Sequence, residues 1–450
     1  MYIRGFAFYR RRDSGTPARR PMHPPRRRII PSRRGVLFMA AAGLSAWLVG
    51  DGCEHENPPA PPPAGTPTVR VLLLEDVPQA NFSATDAPTV RVGSVAQRVD
   101  LSAGGSAGLP ITFAADGWRI GDTRIAGGGG AAELIIEPAT LGSVRVDGLP
   151  HRGRYRCVPT SPGRFDVIND LDMESYLQGV LAKEMLAGWH PEAYRAQAIA
   201  ARTYALYESL TGPAGPPSRA WDVYTDQRSQ VYGGIAGESA KSREAVEYTR
   251  GIVLTWGEPG HRKIFKAYFS ACCGGISQSA ADAFGDPPIP PLGEQYRGDC
   301  CSASPKFNWG PIVMSRDDLT RRVRAWGVWA GRPEANLAKL ASLDISYVNR
   351  FGRPVRFQIT DARGSRYSLG SEDLRHACNA DPHGGPTLPS SFFHPMADPG
   401  SDTIRFETGH GSGHGVGMCQ WCAEMQARAG QGCQQIVLSA YPQGVLIRAY

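Results

Sequence analysis

Apolar residues recur at helical spacing most clearly between Asn169 and Leu210, NDLDMESYLQGVLAKEMLAGWHPEAYRAQAIAARTYALYESL. Met173, Tyr176, Leu177, Val180 and Leu181 occupy positions i, i+3, i+4, i+7 and i+8, which predicts a helix with one core-facing stripe. Glu174 and Gln178 fall on the opposite face, where polar residues belong. After a short kinked connection a second helix is predicted from Pro191. Proline loses nothing in the first turn, and Glu192 sits where the helix dipole favours an anion. Ala193, Ala196, Ala198, Ala200, Ala201 and Ala205 leave its surface small, so other elements can approach closely and this helix is expected at the centre of the fold.

Upstream the pattern changes to short β-type runs: VRVLLL (69–74), TVRVG (89–93), ITF (111–113), ELIIEP (133–138) and SVRV (143–146), separated by Gly- and Asp-rich turns. YRCVP and FDVIN then lead into the first helix. Downstream come a loop at 211–218, a helix through Ala236 to Val246, and GIVLTW (251–256) with KIFKAYFSA (263–271) as a β pair. A further α/β portion spans 319–361, followed by strand SRYSL, helix SEDLRHACN, the glycine-rich GHGSGHGVGMCQWCAEMQARAG (409–430), and a closing helix and strand. The expected fold class is α+β, with a β-rich part at 68–165 and a mixed domain at 166–450 built on the two-helix unit.

Composition alters this picture at one end. The formal charge of +7 suggests an acidic partner, but eleven arginines and one acid, Asp13, fall within the first 34 residues. The remainder is near neutral or slightly negative, so nucleic-acid binding loses its electrostatic basis. Ser32-Arg33-Arg34 precedes an apolar run too short for a comfortable membrane span, which reads residues 1–53 as a twin-arginine-like export leader. Cys53 just after it suggests a lipoprotein anchor, with cleavage and release as the alternative; Glu54 to Pro67 is a proline-rich tether. The expected location is the periplasm or cell envelope, with membrane contact only through the leader or a lipid.

Candidate chemistry centres on Glu184. It lies three residues after Leu181 and seven after Leu177, so a carboxyl continues the apolar stripe. Partial desolvation there raises a carboxyl pKa, as a general acid requires. Fraying of the helix before Glu184, leaving an ordinary solvated carboxylate, is the alternative.

The ordered motifs VINDLDMESYLQGVLAKEM, PEAYRAQAIAARTYAL, SQVYGG, YFSACCGG and GHGVGMCQ resemble the stage II sporulation protein D (SpoIID/LytB) family of peptidoglycan-acting proteins. The resemblance covers roughly 150–450. It implies that Glu184, in the E-M pair, is the catalytic glutamate of a lytic transglycosylase, which cleaves the bond between N-acetylmuramic acid and N-acetylglucosamine without water and leaves a 1,6-anhydro sugar. One glutamate serves as acid and then base. A hydrolase would use two carboxylates, for which Asp222, Asp226 and Asp282 are available. Gln197, Arg202, Tyr232, His410 and His414 are expected to bind substrate; Arg202 matches the motif arginine and His414 the G-H-G-V-G histidine. No cofactor is needed for this chemistry. Peptidoglycan glycan strands are the expected partner, and the resemblance implies strands already stripped of their peptides. Part of the family enhances a partner amidase, so a non-catalytic wall-binding protein or activator of a cell-wall amidase is the alternative, and a metal-dependent hydrolase a third.

The ten cysteines include two vicinal pairs, Cys272-Cys273 and Cys300-Cys301. These four suit a thiolate-rich structural zinc site, with disulfides the other reading. The resemblance implies zinc near the S-x-C-G-G turn in some relatives, with histidine ligands as well, but Ser270 and Ile276 stand where histidines are expected. Cys419 and Cys422 form a C-x-x-C at a helix start, without the βαβ context of a redox motif.

Overall fold

A computed structural model describes residues 65–125, 132–139, 143–212, 219–380, 384–397 and 400–450. The leader, Cys53, most of the tether, the Ala126–Gly130 turn and most of the 211–218 loop lie outside these residues. The chain is α+β. Among the described residues no helix is long and apolar enough to cross a membrane.

The N-terminal part is two facing sheets. One has seven strands in the order Val223–Tyr224, Thr68–Val77, Arg164–Asp172, Arg154–Ser161, Leu134–Glu137, Thr89–Val92 and Val95–Arg98. The other has six, in the order Leu149–His151, Val144–Val146, Gln79–Ala84, Leu109–Ala114, Gly117–Ile120 and Thr123–Arg124. Strand alternation sends Val90, Val92, Leu134 and Ile136 of the first sheet into the same core as Phe82, Ile111 and Trp118 of the second. Trp118 meets Phe165 edge-on at 5.1 Å between ring centres.

Strand Arg164–Asp172 runs across position 165 and serves two cores. Phe165 and Val167 belong to the β core, Leu171 to the helical one. Its last residue, Asp172, caps the first helix, α1 (Met173–Glu184), accepting from the amides of Glu174 and Ser175 at 3.1 and 3.0 Å. All five apolar residues of the stripe are fully buried. The backbone turns extended at Met185, so Glu184 is the last helical residue. The second helix, α2 (Pro191–Thr211), is capped by His190, whose Nδ1 accepts from the Glu192 amide. Its six alanines are completely buried among α1, α3 (Ala240–Tyr248) and elements from the end of the chain.

The remaining helices are α4 (Ala280–Phe284), α5 (Arg316–Ala330), α6 (Ser371–Asn379), α7 (Gln420–Arg428) and α8 (Cys433–Ala440). Helices α5 and α6 close a third core with strands Leu340–Val348, Pro354–Asp361, Arg366–Gly370 and Thr403–His410, around Phe357, Phe393 and Phe406.

The expected β pair at 251–271 takes a different form. Strand Ile252–Trp256 pairs with only Lys263–Ile264 of the second run, and along its other edge with Val445–Arg448. The chain leaves the sheet because Phe265 and Ala267 enter the helical core, with a tight turn in which the Tyr268 amide donates to Lys266 O at 2.8 Å. It resumes at Phe269–Ser270, parallel to Met418–Cys419.

Candidate functional site

Glu184 ends α1 at the edge of an open cleft of about 440 Å3. Its Oε1 accepts from the Val231 amide at 2.9 Å, and the Gln420 side chain bonds the same carboxyl. Burial raises its pKa above the ordinary carboxylate value, and the two hydrogen bonds pull the other way without reversing the shift. The helix therefore does not fray before Glu184. Its position follows from two local facts: the stripe holds α1 against the core up to Leu181, and the extended Met185 stops the helix one turn later.

The rest of the cleft comes from distant parts of the chain: Ser229 and Val231 before α3, Phe269 to Ala271, Arg375 on α6, Ser412 to His414 in the glycine loop, and Gln420 at the start of α7. The glycine loop can follow this wall because several of its glycines lie in the left-handed region. A Cβ on Gly415 (φ 68°) would come within 2.3 Å of the Arg353 guanidinium, and one on Gly417 (φ 68°) within 2.0 Å of Tyr268 O. Parallel pairing of Phe269–Ser270 with Met418–Cys419 aligns the two walls, and Gln420 follows directly.

Two further hollows continue the cleft. One of about 370 Å3 shares Gln227, Ser229, Phe269, Arg375 and His414 with it. The next, of about 580 Å3, shares Phe284, Glu372 and His376 with the second and reaches Trp326 and Trp329, the latter 77% exposed. Lys183, Arg228, Lys266 and Arg375 line the first two. Arg375 is held by Glu372 at 2.7 Å. Burial pushes the Glu372 carboxyl up, but the charge and hydrogen bond of Arg375 outweigh it and bring it down to about 2, so it is a fixed anion rather than a proton donor.

Of the expected substrate-binding residues, only His414 lines the cleft. It packs edge-on against Tyr268 and Phe284, and burial depresses its pKa to about 4, leaving it neutral at pH 7. Arg202 is a correction: it is completely buried, and its guanidinium grips Glu174 through Nε at 3.1 Å and Nη2 at 2.6 Å. Glu174 is buried too, contrary to its expected solvent face, because α3 and strand Ile252–Trp256 cover that side of α1 and α2. Gln197 is also fully buried and lies outside the cleft; its Oε1 accepts from Gln420 Nε2 at 3.5 Å, one step behind Glu184. Tyr232 is internal, donating to Asn169 Oδ1 at 3.2 Å and stacked near Tyr176 and His151. His410 sits on strand Thr403–His410 between Phe307 and Phe392, outside the cleft lining. Gln420 and the Val231 amide complete the site; both lie within the motifs GHGVGMCQ and SQVYGG, but neither residue type marks itself out there as a partner of a carboxyl.

None of the alternative second acids lines the hollow around Glu184, although Asp282 lines the third one. Asp222 is buried against Arg70, Asp226 pairs with Arg228, and Asp282 bonds Ser279 at the start of α4. Among the described residues Glu184 is the only carboxyl lining its own cleft.

The cysteines also regroup. Six of them, Cys272, Cys273, Cys300, Cys301, Cys419 and Cys422, lie side by side behind the cleft, all with free thiols. The sulfurs that converge, all within 4.8 Å of one another, are those of Cys273, Cys301, Cys419 and Cys422. Cys272 and Cys300 of the expected set fall outside that quartet but border it: the Cys272 thiol bonds those of Cys301 and Cys419, and the Cys300 thiol that of Cys422. The C-x-x-C completes the group.

Residues 161–256 match a family model described as SpoIID: Stage II sporulation protein. The chain is 32% identical over 306 residues to an uncharacterized protein of Brachyspira hyodysenteriae, covering 68% of this chain and 74% of that one. It is 26% identical over 308 residues to the amidase enhancer of Bacillus subtilis, covering 61% of this chain but 40% of that protein. To the stage II sporulation protein D of Bacillus amyloliquefaciens it is 27% identical over 290 residues, covering 62% of this chain and 74% of that one.

Proposed function

The chain belongs to the stage II sporulation protein D family, and on that premise we propose that it is a peptidoglycan lytic transglycosylase acting through Glu184. One observation carries the reading: a single, partly buried carboxyl with a raised pKa lines the hollow around Glu184, with no second carboxyl in that hollow among the described residues, and Glu372 in the next one is ion-paired with Arg375. A two-carboxylate hydrolase needs a partner across the bond. A transglycosylase needs one group used twice.

In this mechanism protonated Glu184 donates its proton to the leaving glycosidic oxygen as the bond from C1 of the muramic sugar breaks. The resulting carboxylate takes the proton of the C6 hydroxyl while O6 attacks C1. The 1,6-anhydro ring closes, Glu184 is again protonated, and no water is consumed. The Val231 amide and Gln420 hold the carboxyl in place through both steps. No step calls for a cofactor.

The succession of hollows suits a polymer, and Lys183 and Arg375 beside Glu184 suit a peptide-free strand, on which each muramic residue carries a free lactyl carboxylate. The test is mass spectrometry of products from the full chain incubated with such strands. Anhydro-muramic ends are expected, reduced by roughly 100-fold or more in Glu184→Gln with glycan binding retained. Reducing ends would overturn the mechanism. A second reading, activation of a cell-wall amidase, is favoured by the amidase enhancer relative; it requires that Glu184→Gln keep full stimulation of the amidase and that no glycan cleavage occur.

A further inference from the structure

From the cysteine cluster we infer a structural zinc site whose ligands are Cys273, Cys301, Cys419 and Cys422. Four thiolates around zinc, each bound at about 2.3 Å, place their sulfurs ~3.8 Å apart along the edges of a tetrahedron. Here Cys273 and Cys301 are 3.6 Å apart, and all four sulfurs lie within 4.8 Å of one another. Two disulfides would require only two close pairs. Convergence of all four sulfurs is what one central ion requires.

Two independent features agree. The amides of Cys273 and Cys422 both donate to Cys419 Sγ, at 3.3 and 3.4 Å, as backbone amides do to metal-bound thiolates. A buried cation also stands by. Arg353 is 1% exposed, and among the described residues its guanidinium donates only to the backbone carbonyls of Cys273, Ile276 and His414. The nearby Glu372 is taken by Arg375. An unpaired buried guanidinium is costly, and a zinc held by four thiolates carries a net charge of −2 that offsets it.

The site fastens three separate segments: the turn after strand Phe269–Ser270, the turn at Cys300-Cys301, and the start of α7. The first and third carry Ala271 and Gln420 into the Glu184 cleft. Zinc thus acts as a clip that sets Gln420 against Glu184. This consequence rests on the transglycosylase reading; the metal site itself does not.

The full chain purified without chelator is analysed by elemental mass spectrometry and then with cobalt in place of zinc. One zinc per chain is expected, and the cobalt form should show the strong visible absorption of a tetrahedral tetrathiolate. Cys273→Ser and Cys419→Ser should weaken retention by roughly 100-fold or more, whereas Cys272→Ser and Cys300→Ser keep one equivalent. If ligand variants fail to fold, the wild type still decides: a strong chelator should release one zinc and expose four thiols to a thiol reagent. No metal with the quartet oxidised, two zincs dependent on Cys272 and Cys300, or iron in place of zinc would each overturn the assignment. Loss of metal without loss of cleavage would leave the site standing and overturn its role as the clip for Gln420.

Discussion

The buried pair of Arg202 and Glu174 gives the sharpest test of how this site is built. Replacing Arg202 by Met removes a bidentate contact and bonds to the carbonyls of Val246 and Ile252, all in a region closed to water. Glu174 is then left with the Gly251 amide at 3.3 Å and the Tyr450 hydroxyl at 2.5 Å, and no counter-charge. Breaking a buried pair in this way costs about 3–5 kcal/mol, or a fall in Tm of roughly 6–10 °C at ~2 °C per kcal/mol. Adding Glu174→Gln removes the stranded charge, so the double variant should be less destabilised than the sum of the singles, by roughly 1–3 kcal/mol. The measurements are urea unfolding of both singles and the double, with glycan binding at a temperature where each is folded. Unfolding free energy should drop while binding per folded molecule stays within about twofold, a change of ~0.4 kcal/mol. An Arg202→Met protein of unchanged stability that has lost glycan affinity would refute the reasoning and return Arg202 to the substrate.

Other outcomes follow from the same structure. Because Gln420 donates to the Glu184 carboxyl and favours its charged form, Gln420→Leu should raise the Glu184 pKa further; kcat/KM, which falls as pH rises through that pKa, should then hold to higher pH, and a profile that does not move excludes the contact. Trp329→Ala should weaken long glycan strands by roughly tenfold, the loss of one stacked ring worth about 1 kcal/mol or slightly more, and leave short oligomers untouched; equal losses for both lengths count against the extended groove. Burial depresses His151 to about 4 from an unfolded value of 6.5. The unfolded chain therefore binds the extra proton in that window, and the stability contributed by neutral His151 is full above 6.5 and declines as pH falls towards 4, by up to ~3 kcal/mol. His151→Phe should flatten the pH dependence of urea unfolding there, and an unchanged slope would exclude it.

Hydrophobic periodicity in the sequence was enough to determine α1, its buried stripe and the carboxyl that ends it, because a helix reports its own faces through the spacing of its side chains. It also determined the order of β runs before the helices, and the alanines that make α2 a central element. What packs on the second face of a helix is not written in its own period. Glu174 reads as solvated until α3 and strand Ile252–Trp256 close over it, and Arg202 reads as a ligand-binding cation until Glu174 arrives to neutralise it. The same holds where residues hundreds of positions apart meet: Gln420 reaches Glu184 only because Met418–Cys419 pairs with Phe269–Ser270, and that pairing also brings the C-x-x-C to Cys273 and Cys301. Vicinal cysteines suggested pairing by adjacency. The tertiary structure instead converges one sulfur from each pair with both sulfurs of the C-x-x-C, because three separate turns meet there, and leaves Cys272 and Cys300 at the border of the group.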